Sequence, residues 1–177
     1  MTFLLLTQLL AALLFGRGLP DASVRPAPPR QQRVTVYVFL AETCPISQQA
    51  TLPLRELHAR YAAQGVRLVG VFPGSTATAA SLAAFGRKYA VPFSLQLDLG
   101  QKLTRRFKAT ITPEAVVVTA DERTILYQGR LDDQYAALGE RRSLSQHHEL
   151  ADALADVAAG RPVAVPRTEA IGCFIEQ

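Results

Sequence analysis

VTVYVFLAETCPISQQATLPLREL, residues 34–57, says most about the architecture of this chain. Its first part, Val34–Leu40, is a run of β-branched and aromatic residues typical of a strand buried on both faces. After a short break, apolar residues recur at helical spacing. Pro45 suits the first helical position, because its missing N–H would have no intrahelical partner there. The pattern therefore predicts that Cys44 lies at a strand-to-helix junction, just before the first helical turn.

A cysteine at such a junction is favoured as a thiolate. The unpaired N–H groups of the first turn and the positive end of the helix dipole both stabilise negative charge on the Cys44 sulfur. A thiolate is the nucleophile in disulfide and peroxide chemistry. The alternative for Cys44 is a buried small hydrophobe, which is common for free cysteine. Its place at a helix start favours the reactive thiol.

Composition narrows the function classes. The chain has 177 residues, 49% of them hydrophobic, which suffices for one domain with a real core and excludes wholesale disorder. The net charge of +4 comes from scattered arginines without a basic stripe, so we expect no nucleic-acid partner. Two cysteines, Cys44 and Cys173, are too few for a disulfide scaffold. His58, His147 and His148 offer no ligand pair at helical spacing, so we expect neither a metal nor another cofactor.

The N-terminus is predicted to be a targeting segment. In residues 1–18, Phe3–Phe15 is almost wholly apolar, and its length of about 13 residues is typical of a signal-peptide core. No positive charge precedes it and no clear cleavage site follows, so an uncleaved N-terminal anchor is the alternative. The Pro-rich residues 19–32 are predicted to be a linker. We expect an exported, periplasmic or extracytoplasmic protein that meets a membrane only through its N-terminal segment.

Strands and helices alternate along residues 33–160, and this order predicts an α/β domain with a central mixed sheet flanked by helices. Residues 161–177 are predicted to be an extended tail that carries Cys173, which either packs within a hydrophobic tail or resolves Cys44. The predicted strands are Val34–Leu40, Val66–Phe72, Phe93–Leu97, Ala115–Thr119 and Thr124–Gln128. The predicted helices are Pro45–Ala63 with a kink at Pro53, a helix over Ala79–Tyr89, a short helix capped by Asp98 that carries Leu99, and Leu144–Ala159 with a capping box of Ser143 and Gln146.

Three short motifs in this order resemble a known family. They are Ala41–Ser47 (AETCPIS), Thr112–Glu114 (TPE) and Tyr127–Arg130 (YQGR). The chain resembles thioredoxin-like redoxins, and more narrowly the alkyl-hydroperoxide-reductase/thiol-specific-antioxidant-like and cytochrome-maturation-like exported thioredoxins. The resemblance covers about residues 33–160. It implies a thioredoxin-like fold in which a cis proline, Pro113, faces the active cysteine.

The site also departs from that family. Thioredoxins usually have C-x-x-C, but here Ser47 holds the second position, and a C-x-x-S site cannot close the usual local disulfide. Thioredoxins often have a buried carboxylate where this chain has Val38. Two-cysteine peroxidases carry P-x-x-x-T-x-x-C, where this chain has Tyr37 and Ala41. Copper-delivering relatives have a second cysteine where Gln48 stands. For each of these more specific activities, the chain therefore lacks at least one residue of the characteristic motif.

Five residues are predicted to support Cys44. Thr43 and Ser47 are hydroxyls that could hydrogen-bond the sulfur, although hydroxyls near a helix start more often serve as caps. Pro45 begins the helix. Thr112 and Pro113 are placed opposite the cysteine by the resemblance alone.

Three charged residues near the predicted site are expected to be surface residues without a catalytic role. Glu42 and Glu114 could carry protons, but we expect surface carboxylates. Arg130 could attract an anion, but we expect a solvated strand end.

Three functions remain open. The first is an exported thiol-dependent oxidoreductase with Cys44 as nucleophile on disulfides or peroxides, resolved by Cys173 or by an outside thiol. The second is a peroxiredoxin-like peroxidase. The third is a non-catalytic thioredoxin-like binding module in which a Cys44–Cys173 disulfide is structural. The expected partners are accordingly a protein thiol or disulfide, or a peroxide.

Overall fold

A computed structural model describes residues 33–176, so the predicted targeting segment and linker lie outside the described residues. The strands are β1 (Val34–Phe39), β2 (Val66–Phe72), β3 (Ser94–Leu97), β4 (Ile111–Thr112), β5 (Glu114–Thr119), β6 (Ile125–Gly129), β7 (Tyr135–Ala137), β8 (Glu140–Arg141) and β9 (Cys173–Phe174). The helices are α1 (Pro45–Tyr61), α2 (Ala79–Lys88), α3 (Lys102–Phe107) and α4 (Glu149–Ala158).

A five-stranded mixed sheet in the order β3-β2-β1-β5-β6 forms the centre. β1 and β2 are parallel, as are β2 and β3, whereas β5 runs antiparallel to both β1 and β6. Parallel neighbours require helical crossovers, and α1 and α2 provide them. The predicted fold class, a mixed sheet flanked by helices, is confirmed.

Side chains alternate between the two faces of β1, and each face has its own apolar cluster. Val36 and Val38 contribute to a cluster with α1, α2 and α4, and Tyr37 and Phe39 to a second cluster with Phe107 of α3. Both faces of the strand are therefore buried, as the run of β-branched and aromatic residues predicts. Within the described residues, no helix has the length and apolar character needed to cross a bilayer.

Three predicted elements need correction. The last helix begins at Glu149 and not at Leu144, and no capping box forms there. The short helix begins at Lys102, so Leu99 precedes it and is exposed. Between the last predicted strand and the last predicted helix, where the sequence pattern predicts no regular element, the structure contains the small hairpin of β7 and β8. α1 continues through Pro53. A short 3₁₀ turn follows its end, and Gly65 closes that turn in a left-handed conformation.

Residues 161–176, here called the tail, return from α4 to the sheet. Arg167 forms a parallel bridge with Gln128 of β6, and β9 then pairs antiparallel with β4. Ile175 is buried in the second apolar cluster. The tail is therefore attached at two places, and the second of them is beside Cys44.

The core makes a direct stability prediction. Leu54 on α1 is fully buried, whereas Leu52 on the same helix is 58% exposed. Leu54→Ala should lower the free energy of unfolding by about 2–5 kcal/mol, because the lost methyl groups leave a cavity. The matched control Leu52→Ala should change it by less than about 0.5 kcal/mol. Urea denaturation of both variants measures this, and equal losses would contradict the assigned packing.

Candidate active site

Cys44 occupies the position directly before α1. Its backbone is extended (φ −82°, ψ 115°), Pro45 begins the helix, and the side chain is 1% exposed. The location predicted from the sequence is confirmed. The sulfur lies 3.4 Å from the carbonyl oxygen of Thr112, to which the neutral thiol can donate. Strand β4 thus meets the start of α1 at this sulfur.

The connection from β4 to β5 explains why Thr112 is placed there. The Thr112–Pro113 peptide bond is cis, as the family resemblance implied, and both residues are buried. β5 continues directly into the central sheet beside β1, the strand that leads to Cys44. Two sequence segments far apart along the chain are in this way brought face to face.

The tail brings the second cysteine to the same point. Cys173 pairs with Thr112 in the β4–β9 ladder, and the Thr112 hydroxyl donates to the Cys173 carbonyl oxygen at 3.2 Å. The Ile175 N–H donates to the carbonyl oxygen of Thr110 at 2.9 Å. The sulfurs of Cys44 and Cys173 lie 2.7 Å apart, and both cysteines are free. A disulfide bond measures about 2.05 Å, so little movement separates this pair from a bond.

The two thiols are electrostatically unequal. Burial raises the pKa of the Cys44 thiol, but hydrogen bonds from Cys173 and from the N–H and hydroxyl of Ser47 stabilise the thiolate more, so the net pKa lies below the ordinary value. Burial, the hydrogen bond to Cys44 and the negative charge on Cys44 raise the pKa of Cys173 to about 11. When one proton leaves the pair, the charge therefore rests on Cys44 and the remaining proton on Cys173.

The other predicted site residues differ in how close they come. Ser47 is buried, and its hydroxyl also accepts the N–H of Ala41 at 3.2 Å, which fixes the loop before the cysteine. Pro45 is exposed at the first helical position. Thr43 is exposed, and no hydrogen bond from it to the Cys44 sulfur is present among the described residues. The structure brings Ser47, Thr112 and Cys173 into contact with Cys44, and Pro113 follows Thr112 directly.

The expectation of a surface carboxylate at Glu114 was wrong. Its side chain is 7% exposed, accepts the N–H of Thr110 at 3.1 Å and accepts from the Gln128 amide at 2.7 Å. The sequence did contain one indication that Glu114 is buried, its position between Pro113 and the apolar residues of β5. Since β5 is a central strand, its first residue also lies inside the protein.

Arg130 and Glu42 also differ from the plain expectation. Arg130 is not a solvated strand end: its guanidinium forms an ion pair with Glu149 of α4 at 2.5 Å. Glu42 is half-buried and accepts a hydrogen bond from the Ser81 hydroxyl at the start of α2. Both charged groups therefore connect structural elements. In the described part of the chain, no group of three or more His, Cys, Asp or Glu side chains is placed to hold a metal.

A groove of about 580 Å³ lies beside the cysteine pair, between the tail and the β7–β8 hairpin. Glu114 and Gly172 line it, as do two exposed apolar side chains, Leu138 and Phe174, of which Phe174 is 77% exposed. Cys173, which is partly exposed, lies between two lining residues of the groove, Gly172 and Phe174.

The mixed sheet, the cysteine at the start of α1 and the cis proline opposite it define a thioredoxin-like protein. The chain belongs to the AhpC/TSA family, whose model matches residues 22–128. The tail follows this matched segment. A search of curated proteins finds no significant match.

Solved structures agree on the fold. An uncharacterized conserved protein from Geobacillus kaustophilus aligns with a TM-score of 0.74 at 22% identity, over 82% of this chain and 78% of that chain. A hypothetical protein from Sinorhizobium meliloti 1021 aligns with a TM-score of 0.71 at 23% identity, over 82% and 80%. A secreted Mycobacterium tuberculosis disulfide oxidoreductase homologous to E. coli DsbE aligns with a TM-score of 0.50 at 18% identity, over 75% and 84%.

Proposed function

We propose that this protein is an exported thiol-dependent oxidoreductase, with Cys44 as the nucleophile and Cys173 as the resolving cysteine. The observation that carries the proposal is the contact of 2.7 Å between two sulfurs of unequal acidity. Export is supported by the apolar N-terminal segment and by the similarity in fold to a protein described as secreted.

The reaction proceeds in two exchanges. The Cys44 thiolate attacks one sulfur of a partner disulfide, forming a mixed disulfide and releasing the other partner sulfur as a thiolate. Cys173 then gives up its proton and attacks the Cys44 sulfur, which forms the Cys44–Cys173 disulfide and releases the second partner thiolate. The protein loses two electrons and the partner gains them. Cys173 needs to move only slightly in the second exchange, because β9 already holds it beside Cys44.

Peroxide reduction is the second candidate, and the burial of Cys44 favours it. Beneath the tail, a 1% exposed sulfur is more accessible to a small oxidant than to a protein disulfide. The thiolate would attack the O–O bond to give a sulfenic acid and hydroxide, and Cys173 would condense with the sulfenic acid to a disulfide and water.

A rapid-mixing experiment with reduced wild-type protein tests both candidates. Oxidised glutathione and hydrogen peroxide are compared across pH, and mass spectrometry follows the Cys44–Cys173 disulfide. The first candidate predicts that oxidised glutathione reacts faster than hydrogen peroxide, with a rate that rises with pH as the thiolate forms. The half-maximum of this rate should lie at a lower pH than for an ordinary cysteine, because hydrogen bonds lower the pKa of Cys44. Faster reaction with peroxide favours the second candidate, and reaction with neither leaves only the binding module.

A further inference from the structure

The tail is fastened to β6 several residues before Cys173. The Gln128 N–H donates to the carbonyl oxygen of Pro166 at 3.0 Å, and the Thr168 N–H donates to the carbonyl oxygen of Gln128 at 3.1 Å. The Thr168 hydroxyl lies 2.7 Å from the Tyr127 hydroxyl and accepts the Arg130 N–H at 3.1 Å. Backbone and side-chain hydrogen bonds therefore hold residues 166–168 along the edge of the sheet.

The Gln128 side chain joins this attachment to the active-site strand. Its oxygen accepts from the Arg167 guanidinium, and its amide nitrogen donates to the Glu114 carboxylate at 2.7 Å and to the Phe107 carbonyl oxygen at 2.9 Å. A side-chain amide has both an acceptor oxygen and a donor NH₂ group, so it can bind a cation through the oxygen and an anion through the nitrogen. Gln128 is 6% exposed, so these contacts form where water competes little.

Glu114 connects this chain of contacts to the cysteines. It follows Pro113 directly, and Thr112, just before that proline, pairs with Cys173. Arg167 lies at the other end, on the tail that carries Cys173. The contacts thus join the strand facing Cys44 to the segment that delivers Cys173, without touching either sulfur.

We propose that Gln128, Arg167 and Glu114 form a positioning unit that holds residues 166–168 on β6 and so presents Cys173 to Cys44 at high effective concentration. With this attachment, the free tether before Cys173 is about five residues, whereas from the end of α4 it is about fifteen. Effective concentration falls roughly as the −3/2 power of tether length, so loss of the attachment lowers it about fivefold from length alone. The proposal rests on the Cys44–Cys173 pairing of the proposed function but not on any particular substrate.

The test measures the equilibrium of the cysteine pair with glutathione. Two protein thiols and one oxidised glutathione give the Cys44–Cys173 disulfide and two reduced glutathiones, and the equilibrium constant is the effective concentration of Cys173 at Cys44. Arg167→Met removes the donor on the exposed tail, and Gln128→Met removes the amide from the buried centre. We expect each to lower the constant by up to about fivefold, the value for complete loss of the attachment, because the backbone hydrogen bonds of residues 166–168 remain.

Arg161→Met is the matched control. Arg161 belongs to the same tail but pairs with Asp156 at the end of α4, away from Gln128. It should leave the constant unchanged, and thermal melting shows which variants are folded. A wild-type constant in folded Arg167→Met contradicts the positioning unit even if Gln128→Met fails to fold. A wild-type disulfide without activity on any partner overturns the proposed function alone, whereas a wild-type protein that forms no Cys44–Cys173 disulfide overturns both.

Discussion

Cys44→Ser should reduce disulfide exchange to the uncatalysed background, whereas Cys173→Ser should perform one exchange and then stop. A serine hydroxyl is not ionised at neutral pH and cannot form a disulfide, so the first variant lacks the attacking atom. The second variant keeps the Cys44 thiolate but lacks the sulfur that would attack the mixed disulfide. Reduced protein mixed with a small disulfide-linked peptide, followed by non-reducing mass spectrometry, measures both outcomes.

The mass of the stalled species identifies the order of attack. In Cys173→Ser, one half of the peptide should remain attached at Cys44 in a one-to-one adduct that dithiothreitol removes. If Cys173 were the entry point, the adduct would instead appear at Cys173 in Cys44→Ser, and the roles proposed here would be reversed. The two single substitutions are therefore controls for each other.

A third substitution separates the loss of resolution from the loss of acidity. Serine at position 173 can still donate a hydrogen bond to the Cys44 sulfur, but alanine cannot. Cys173→Ala should also stop at the mixed disulfide. It should form the adduct more slowly at neutral pH, because the pKa of Cys44 rises when the donor is removed.

The central sheet could be predicted from the sequence because its signals are local. Val34–Phe39 is a run of β-branched and aromatic residues and occupies the middle of the sheet, and the apolar residues at helical spacing after Pro45 lie on α1. Cys44 was placed correctly for the same reason, since a strand end and a helix start adjoin in the sequence. Asp98 is also the capping residue predicted, because its carboxylate accepts the N–H groups of Leu103 and Thr104.

The start of α4 could not be predicted because a distant carboxylate decides it. Asp133 accepts the N–H of Gln146 at 2.7 Å and of His147 at 3.0 Å, which holds these residues outside the helix. Ser143 and Gln146 have the spacing of a capping box, but Gln146 donates to another partner. Hydrogen bonds from the same N–H groups lower the pKa of Asp133 to about 2, although burial of the carboxylate acts in the opposite direction.

The position of Cys173 beside Cys44 is the second feature that local sequence patterns cannot predict. The sequence offered pairing with Cys44 as one interpretation, but short strands such as β9 have no periodicity to detect. The register of β9 on β4 depends on backbone groups at Thr112 and Thr110, far away in the chain. Glu114 and Gln128 were missed for a related reason, because each finds its polar partner in a distant segment.

Gly172→Ala tests whether this register controls the chemistry, and a large loss is expected. A Cβ atom on Gly172 would lie 2.1 Å from the Thr112 carbonyl oxygen, a backbone atom in a short buried strand. Because two paired strands cannot accommodate so close a contact, the tail must move off β4 and carry the Cys173 sulfur away from Cys44. The effective concentration measured against glutathione should fall at least about tenfold, or about 1.4 kcal/mol.

The same variant should expose Cys44. Greater accessibility combined with a higher pKa is the specific result expected of a displaced tail. With β9 displaced, Cys44 becomes accessible to alkylating reagents while its pKa rises, because the hydrogen bond from Cys173 is lost. At high pH, where Cys44 is a thiolate in both proteins, Cys44 should therefore be alkylated faster in Gly172→Ala than in the wild-type protein. Near neutral pH the two rates should become similar, because less of the variant's Cys44 is ionised. Gly74→Ala is the control, since a Cβ there meets no atom within 4 Å. If Gly172→Ala kept the wild-type effective concentration, close approach of the tail to Thr112 would not be what brings the two sulfurs together.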